Sequence, residues 1–237
     1  MKPLPPIFEK YIQSDNKNLF DVFNCPSLGI NWKDVSILDY GCNQGNFINS
    51  AKNYIDPNRY LGIDITNLSI ELAKQQHPDF NFTLYNKWHQ AYNPTGDKTT
   101  SVLDIVDKKF DIVIAYSVFT HNTIDQAKEE LADLKKLLSP RGKILFTIWR
   151  ASMFASFYEF EFNKYANIPV IDCNSIAFDK MAYWVDTSKL ITDDLQFQPT
   201  TCRQFNSYYN LEWFEKEMGN VHYLGKPKGQ HQDLFLS

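Results

Sequence analysis

The apolar runs "VSILDY", "YLGIDI", "NFTLYN", "FDIVIAY" and "KILFTIW" recur between turn residues along the first two thirds of the chain, and their length and Ile/Val content predict five β-strands. Between them the apolar spacing changes to that of a helix. Ile48, Ala51 and Ile55 follow the first run at such spacing, and Ile65, Leu68 and Leu72 follow the second until Pro78 stops them. The most regular stretch is Ile124, Ala127, Leu131, Leu134 and Leu138, with Thr123 and Gln126 ahead of it at the spacing of a capping box and "SPRG" predicting its end. Strands alternating with helices imply βαβ units, right-handed crossovers and a doubly wound, mostly parallel α/β sheet covered on both faces. The tail breaks the alternation. "NLEWFEKEM" reads as a helix, and "VHYLG" and "HQDLFLS" read as a hairpin around "KPKGQ", so the sheet should finish with an antiparallel strand.

Two stretches exceed ordinary connections. Residues 87–109 delay the fourth strand, and residues 150–209 separate the fifth from the last helix by far more than the usual ~2 to 6 residues. The second is an aromatic-rich insert carrying, among others, Phe154, Tyr158, Tyr183, Trp184 and Tyr209. The chain therefore divides into an N-terminal helical segment over the ligand site (1–34), a ligand-binding core (35–149), the insert as a second binding site or lid (150–209), and a helix plus hairpin completing the sheet (210–237).

With 237 residues, 43% of them hydrophobic, the chain can bury one full core. Its formal charge of -4 and scattered lysines and arginines argue against a nucleic-acid partner. No run reaches the ~18 apolar residues of a membrane span, nor does the start resemble a signal peptide, so a cytoplasmic protein without a membrane partner is expected. The four cysteines, Cys25, Cys42, Cys173 and Cys202, lie far apart without a CxxC, so free thiols are expected rather than a zinc site or disulfides. No histidine pair has metal-ligand spacing, and no metal is expected.

The first strand leads into "DYGCNQG", which sits where an open parallel sheet presents its first ligand loop. Gly41 and Gly45 allow the backbone to approach a ligand, and Asn43 is the residue type, after glycine, that best tolerates a positive φ. No Gly-Lys-Ser/Thr follows, which excludes a phosphate-cradling loop; a dinucleotide fingerprint would place its glycines on Gly41, Asn43 and Asn46, only one of which is glycine. Asp39 at the strand end favours a cation over a pyrophosphate. Asp64, closing the second strand, stands where a carboxylate grips ribose hydroxyls. The ligand should thus offer a ribose and a positive group, and no phosphate. S-adenosylmethionine has those properties.

"ILDYGCNQGNF" resembles the first motif of class I S-adenosylmethionine-dependent methyltransferases; "YLGIDIT" resembles their second, "FDIVIAYSVFTH" their fourth, and "LKKLLSPRGKILFTIW" the helix, turn and fifth strand that follow. The resemblance runs from about Val35 to Trp149. It implies a Rossmann-like fold with an antiparallel last strand, S-adenosyl-L-methionine as cofactor, and cofactor contacts from Asp39, Tyr40, Gly41, Cys42, Gly45, Asp64, Ile65, Asn86 and Tyr116. Asn43 departs from the family's usual glycine, and Asn86 stands where an acidic residue often meets the adenine.

The family's reaction is attack by an acceptor atom on the sulfonium methyl, for which positioning dominates and a base adds about 10² to 10⁴. His121 is the candidate base, because it follows the fourth strand in "AYSVFTHNT" and imidazole titrates in the neutral range. "AYSVFT" differs from the Asn/Asp-Pro-Pro-aromatic run of base-amine methyltransferases, and the chain lacks a Pro-Cys nucleophile, an arginine-methyltransferase glutamate loop and acidic residues at the end of the fourth strand. "SVFTH" and "GQHQDLFLS" are similar to segments of methyltransferases from polysaccharide and natural-product pathways. These cues imply O-methylation of a sugar or other small metabolite, with N-methylation of an amino sugar and a catalytically silent binding subunit as alternatives, and a homodimer as a candidate assembly.

Overall fold

The computed structural model describes residues 18–89, 92–150, 170–172, 183–186, 205–209, 211–227 and 232–237. Strands β1 (Ile37–Tyr40), β2 (Tyr60–Asp64), β3 (Phe82–Leu84), β4 (Phe110–Ala115) and β5 (Leu138–Arg150) form the parallel sheet that the five apolar runs predict, in the order β3-β2-β1-β4-β5. The order reverses between β1 and β4. Chains leaving those two strands diverge to opposite sides and open a crevice at their carboxyl ends.

The two faces follow directly from strand alternation. Leu38, Tyr40, Val113, Ala115, Ile144 and Phe146 point into one apolar layer, covered by α4 (Ile124–Lys136) and α5 (Leu211–Met218). Ile37, Ile112, Ile114 and Leu145 point into the other, covered by α1 (Leu19–Phe23), α2 (Asn46–Ala51) and α3 (Asn67–Gln76). Helix α4 carries the capping box read from the sequence: Gln126 N–H donates to Thr123 Oγ1 at 3.2 Å, and Thr123 N–H to Gln126 Oε1 at 2.8 Å. It buries Ala127, Leu131 and Leu134, as the spacing predicts, whereas Leu138, the last of that pattern, lies beyond its end in β5.

Two helical readings need correction. Helix α2 ends before Ile55, which is buried in the turn that follows. Helix α3 starts at Asn67, so Ile65 precedes it; its buried residues are Ile70, Leu72 and Ala73, and Leu68 is 47% exposed. "SPRG" does not terminate α4, which ends at Lys136. It belongs to a bulge in β5, where the register advances five residues (Leu138 to Lys143) against two on β4 (Phe110 to Ile112). Ser139 in that bulge donates to Asp111 Oδ1 at 2.7 Å, fixing the end of the sheet away from the crevice.

The antiparallel tail forms as expected: β9 (His222–Gly225) and β10 (Asp233–Leu236) pair with each other. The last strand is not the edge, however. β10 inserts between β5 and β9, running antiparallel to Leu145–Ile148, which lets Phe235 stack on Phe146 with ring centroids 5.6 Å apart. Beyond Ile148 the end of β5 pairs instead with β8 (Phe205–Tyr209), which continues antiparallel through β7 (Tyr183–Asp186) to β6 (Val170–Asp172). These three strands come from the insert; most of its other aromatics, Phe154 and Tyr158 among them, lie outside the described residues, as do residues 1–17. Among the described residues no helix is long and apolar enough to cross a membrane.

Candidate active site at the sheet reversal

The β1–α2 loop takes a shape that few side chains allow. Gly41, Asn43 and Gly45 have φ of 78°, 50° and 81°, in the left-handed region where a Cβ is penalised. Asparagine at the middle position meets this demand as its residue type suggests. The two glycines have a reason the sequence did not disclose. A Cβ on Gly41 would lie 2.4 Å from Val118 Cγ2, and one on Gly45 would lie 2.5 Å from the His77 ring. They make room for neighbouring side chains, and the backbone facing the crevice is the consequence. Gly41 N–H and Cys42 N–H both donate to the Ile63 carbonyl, at 2.8 and 2.9 Å, and so fasten the loop to β2.

Two carboxylates close the acidic end of this crevice. Asp39 is 3% exposed and accepts from the Tyr60 hydroxyl at 2.7 Å. Burial pushes its pKa up to about 7, against the Tyr60 bond and with help from the charge of Asp64. Asp64 is half-buried; Oδ2 accepts from Asn43 N–H at 2.9 Å and Oδ1 from Thr66 N–H at 2.8 Å. Burial raises its pKa as well, while those backbone donors pull it down. The Cys42 thiol is buried and held well above its ordinary range by desolvation and then by the two carboxylates. Neither Asp39 nor Asp64 has an ion pair among the described residues. Two desolvated acids without a base favour a cationic ligand and repel a phosphate. The donor set therefore fits an adenosine carrying a sulfonium and an amino group.

Across the crevice, the turn after β4 is strained and braced. Ser117 has φ 58°. Its N–H donates to Thr147 Oγ1 on β5 at 2.9 Å, its hydroxyl accepts from Gln232 Nε2 at 2.8 Å, and Thr120 Oγ1 donates to its carbonyl at 2.7 Å. Thr147 and Gln232 also bond to each other. Phe119–His121 then forms a 3-10 turn, over which the buried Tyr209 hydroxyl lies within bonding distance of the Asn122 and Phe119 carbonyls at 2.7 and 3.2 Å. This turn presents His121. The Tyr92 hydroxyl is 3.1 Å from His121 Nδ1 and 3.3 Å from Nε2, and buried His89 lies alongside with Nε2 3.0 Å from the His121 carbonyl.

Residues 38–144 match the methyltransferase-domain family. That stretch is a methyltransferase domain. Its fold is similar to that of a S-adenosylmethionine-dependent methyltransferase from Clostridium acetobutylicum (14% identity, 97% of this chain and 95% of that one, TM-score 0.56). It is also similar to DesVI from Streptomyces venezuelae (13%, 100% and 98%, 0.55) and to magnesium protoporphyrin IX methyltransferase from Synechocystis, solved with bound S-adenosylhomocysteine (12%, 95% and 83%, 0.53). Its cofactor is S-adenosylmethionine, and it is an enzyme of that class.

Within this methyltransferase the sequence-derived residues separate into three groups. Asp39, Gly41, Cys42, Gly45 and Asp64 converge on the loop just described. Ile65 packs with Val118 against the α4-side layer, while Tyr116 packs on the opposite layer with its ring 6.4 Å from Phe23 of α1. Tyr40 and Asn86 stand apart. The Tyr40 side chain is buried under α4, its ring 6.0 Å from Tyr85, with its hydroxyl held far above its ordinary pKa by burial and by Glu130. Asn86 is exposed after β3 and bonds to Asn93 and Asp97 in the 87–109 connection. Sequence reasoning missed Tyr92, Thr147, Gln232 and Glu130. Only for Tyr92 was there a signal: it lies in the overlong connection before β4.

Proposed function

We propose that this methyltransferase transfers a methyl group to a hydroxyl of a sugar or other small metabolite, with His121 accepting the hydroxyl proton. The observation carrying this reading is the contact between Val118 and Gly41: it sets the turn that bears His121 directly against the cofactor loop. S-adenosylmethionine supplies an electrophilic methyl on a positive sulfur. The protein's part is to hold the acceptor oxygen in line and to take its proton as the O–CH3 bond forms, so that a neutral alcohol need not carry positive charge. Asp39 and Asp64 hold the cofactor's cationic and ribose ends. The insert serves the acceptor and the N-terminal segment lies over the cofactor site, supported respectively by the pairing of β8 with the end of β5 and by the seat of α1 beside Tyr116.

Purified protein with S-adenosylmethionine and a panel of neutral and amino sugars tests the reading. Transfer to a neutral sugar hydroxyl is expected, and His121→Ala should lower turnover about 100-fold or more while cofactor affinity holds. Methylation confined to amino groups, or a His121→Ala variant with wild-type turnover across pH, would overturn it.

A further inference from the structure

The hydrogen bonds beside the β4 turn run in a single direction. Ser117 N–H donates to Thr147 Oγ1 at 2.9 Å, Thr147 in turn donates its hydroxyl proton to the Gln232 side-chain oxygen, and Gln232 Nε2 donates to Ser117 Oγ at 2.8 Å. Thr120 Oγ1 lies 2.7 Å from the Ser117 carbonyl, which can only accept, so the Thr120 proton goes there. The 2.9 Å contact between the Ser117 and Thr120 hydroxyls is then filled by the Ser117 proton. Turning the Gln232 amide over would draw the Ser117 proton to the amide oxygen and leave that contact with none, so the network itself assigns the amide its orientation. Thr120, Thr147 and Gln232 are all buried, and solvent offers their polar atoms little alternative.

One end of this chain of bonds is anchored in the sheet, because Thr147 of β5 pairs with Leu234 of β10 and Gln232 immediately precedes that strand. The other end is at the site. Thr120 is the middle residue of the 3-10 turn Phe119–His121, and the His121 N–H bonds back to the Val118 carbonyl at 2.9 Å. Between the two ends stands Ser117, at a φ of 58° that is unfavourable for a serine. Resting on the assignment of His121 as base, we propose that Thr147 and Gln232 are positioning residues: they hold Ser117 in its left-handed conformation and so fix, through Thr120, where His121 stands relative to the cofactor loop. Placement is what methyl transfer asks of the protein, and a shift of about 1 Å in a reacting group can cost about 100-fold. None of the four side chains titrates near neutral pH, so the chain of bonds sets geometry rather than charge.

Thr147→Val keeps the shape of the side chain and removes both the acceptor for Ser117 N–H and the donor to Gln232. It should lower kcat about tenfold, leave the calorimetric affinity for S-adenosylhomocysteine within about twofold, and speed amide hydrogen exchange over residues 117–122 but not over 41–46. Thr147→Ser, which keeps the hydroxyl, should recover most of the turnover. Gln232→Leu cuts the same chain of bonds at its other anchor and should reproduce the loss, and the two changes together should cost no more than the larger of the single losses. The coupling is read in the His121→Ala background, where adding Thr147→Val should change turnover by less than about twofold. A further loss of about tenfold there would mean that the bonds act elsewhere than through His121, and would overturn the proposal. Unchanged exchange over 117–122 in Thr147→Val, or turnover in Thr147→Ser as low as in Thr147→Val, would overturn it too. Wild-type turnover in His121→Ala alone would overturn the base assignment, and this proposal with it.

Discussion

Replacing Asp39 by asparagine should stabilise the cofactor-free protein at neutral and alkaline pH while weakening the cofactor. The carboxyl has an ordinary pKa of 3.8 and is raised to about 7 in the fold, mainly by burial. Between those values the native state holds a proton that the unfolded chain has released, so stability falls as pH rises through that window and the whole cost is present above it. Three units correspond to about 4 kcal/mol, an upper figure for a buried acid. Asparagine avoids the charge and still accepts the Tyr60 hydroxyl bond, but its NH2 group brings donors into a buried site at a cost of about 1 to 3 kcal/mol. At pH 8 the variant should therefore be more stable by about 1 to 3 kcal/mol, a rise in Tm of roughly 2 to 10 °C for a domain of this size. Near pH 4, where the wild-type carboxyl is already protonated, the order should reverse, because only the amide penalty remains. Denaturant titrations at several pH values read both limits, and calorimetry should show S-adenosylmethionine binding at least about tenfold weaker once a negative charge is lost from its cationic end. A stability difference that stays constant from pH 4 to pH 8 would refute the reasoning, since it would mean that Asp39 is ionised throughout and its burial is already compensated.

Asp64→Ala removes a charged acceptor from the ribose end and should weaken S-adenosylmethionine and its demethylated product by about 10- to 150-fold; unchanged affinities by calorimetry would remove Asp64 from the cofactor site. Gly41→Ala should lower the denaturation midpoint, by about 1 to 2 kcal/mol for a left-handed alanine and further for the clash with Val118. The double variant with Val118→Ala should recover only the clash part, and a single variant as stable as wild type would show that the loop has room to spare.

The parts of the fold legible in the sequence are those whose signal is local. Thr123 and Gln126 announce α4 because a capping box acts over three residues, and runs such as "VSILDY" and "FDIVIAY" announce strands because their length and Ile/Val content are set within each run. Leu68 misled because its spacing to Ile65 and Leu72 suits a helix, whereas the start of α3 at Asn67 turns a different face inward. Tyr40 shows a related effect of side-chain direction. The resemblance implied a cofactor contact there, yet neighbours on a strand point to opposite faces, and the Tyr40 side chain lies beneath Glu130. Gln232 could not have been found: its partners Ser117 and Thr147 are 115 and 85 residues away, and no periodicity reports a contact between a terminal strand and a loop after β4.

That long-range bracing explains how an unfavourable turn can be kept at the site. A serine at φ 58° costs about 1 to 2 kcal/mol relative to ordinary backbone. Three hydrogen bonds to Ser117, each contributing about 0.5 to 1.5 kcal/mol, are enough to offset it. One of the three comes from β5 and one from the residue preceding β10, so the turn is held only after the antiparallel strand has inserted beside β5. Tyr209, at the end of the insert, adds its hydroxyl to the same turn. The cofactor loop, by contrast, is fastened to β2 through Ile63 and Asp64, all within the first 64 residues. The cofactor loop and the turn that bears His121 are thus built from different parts of the chain that meet at Val118 and Gly41.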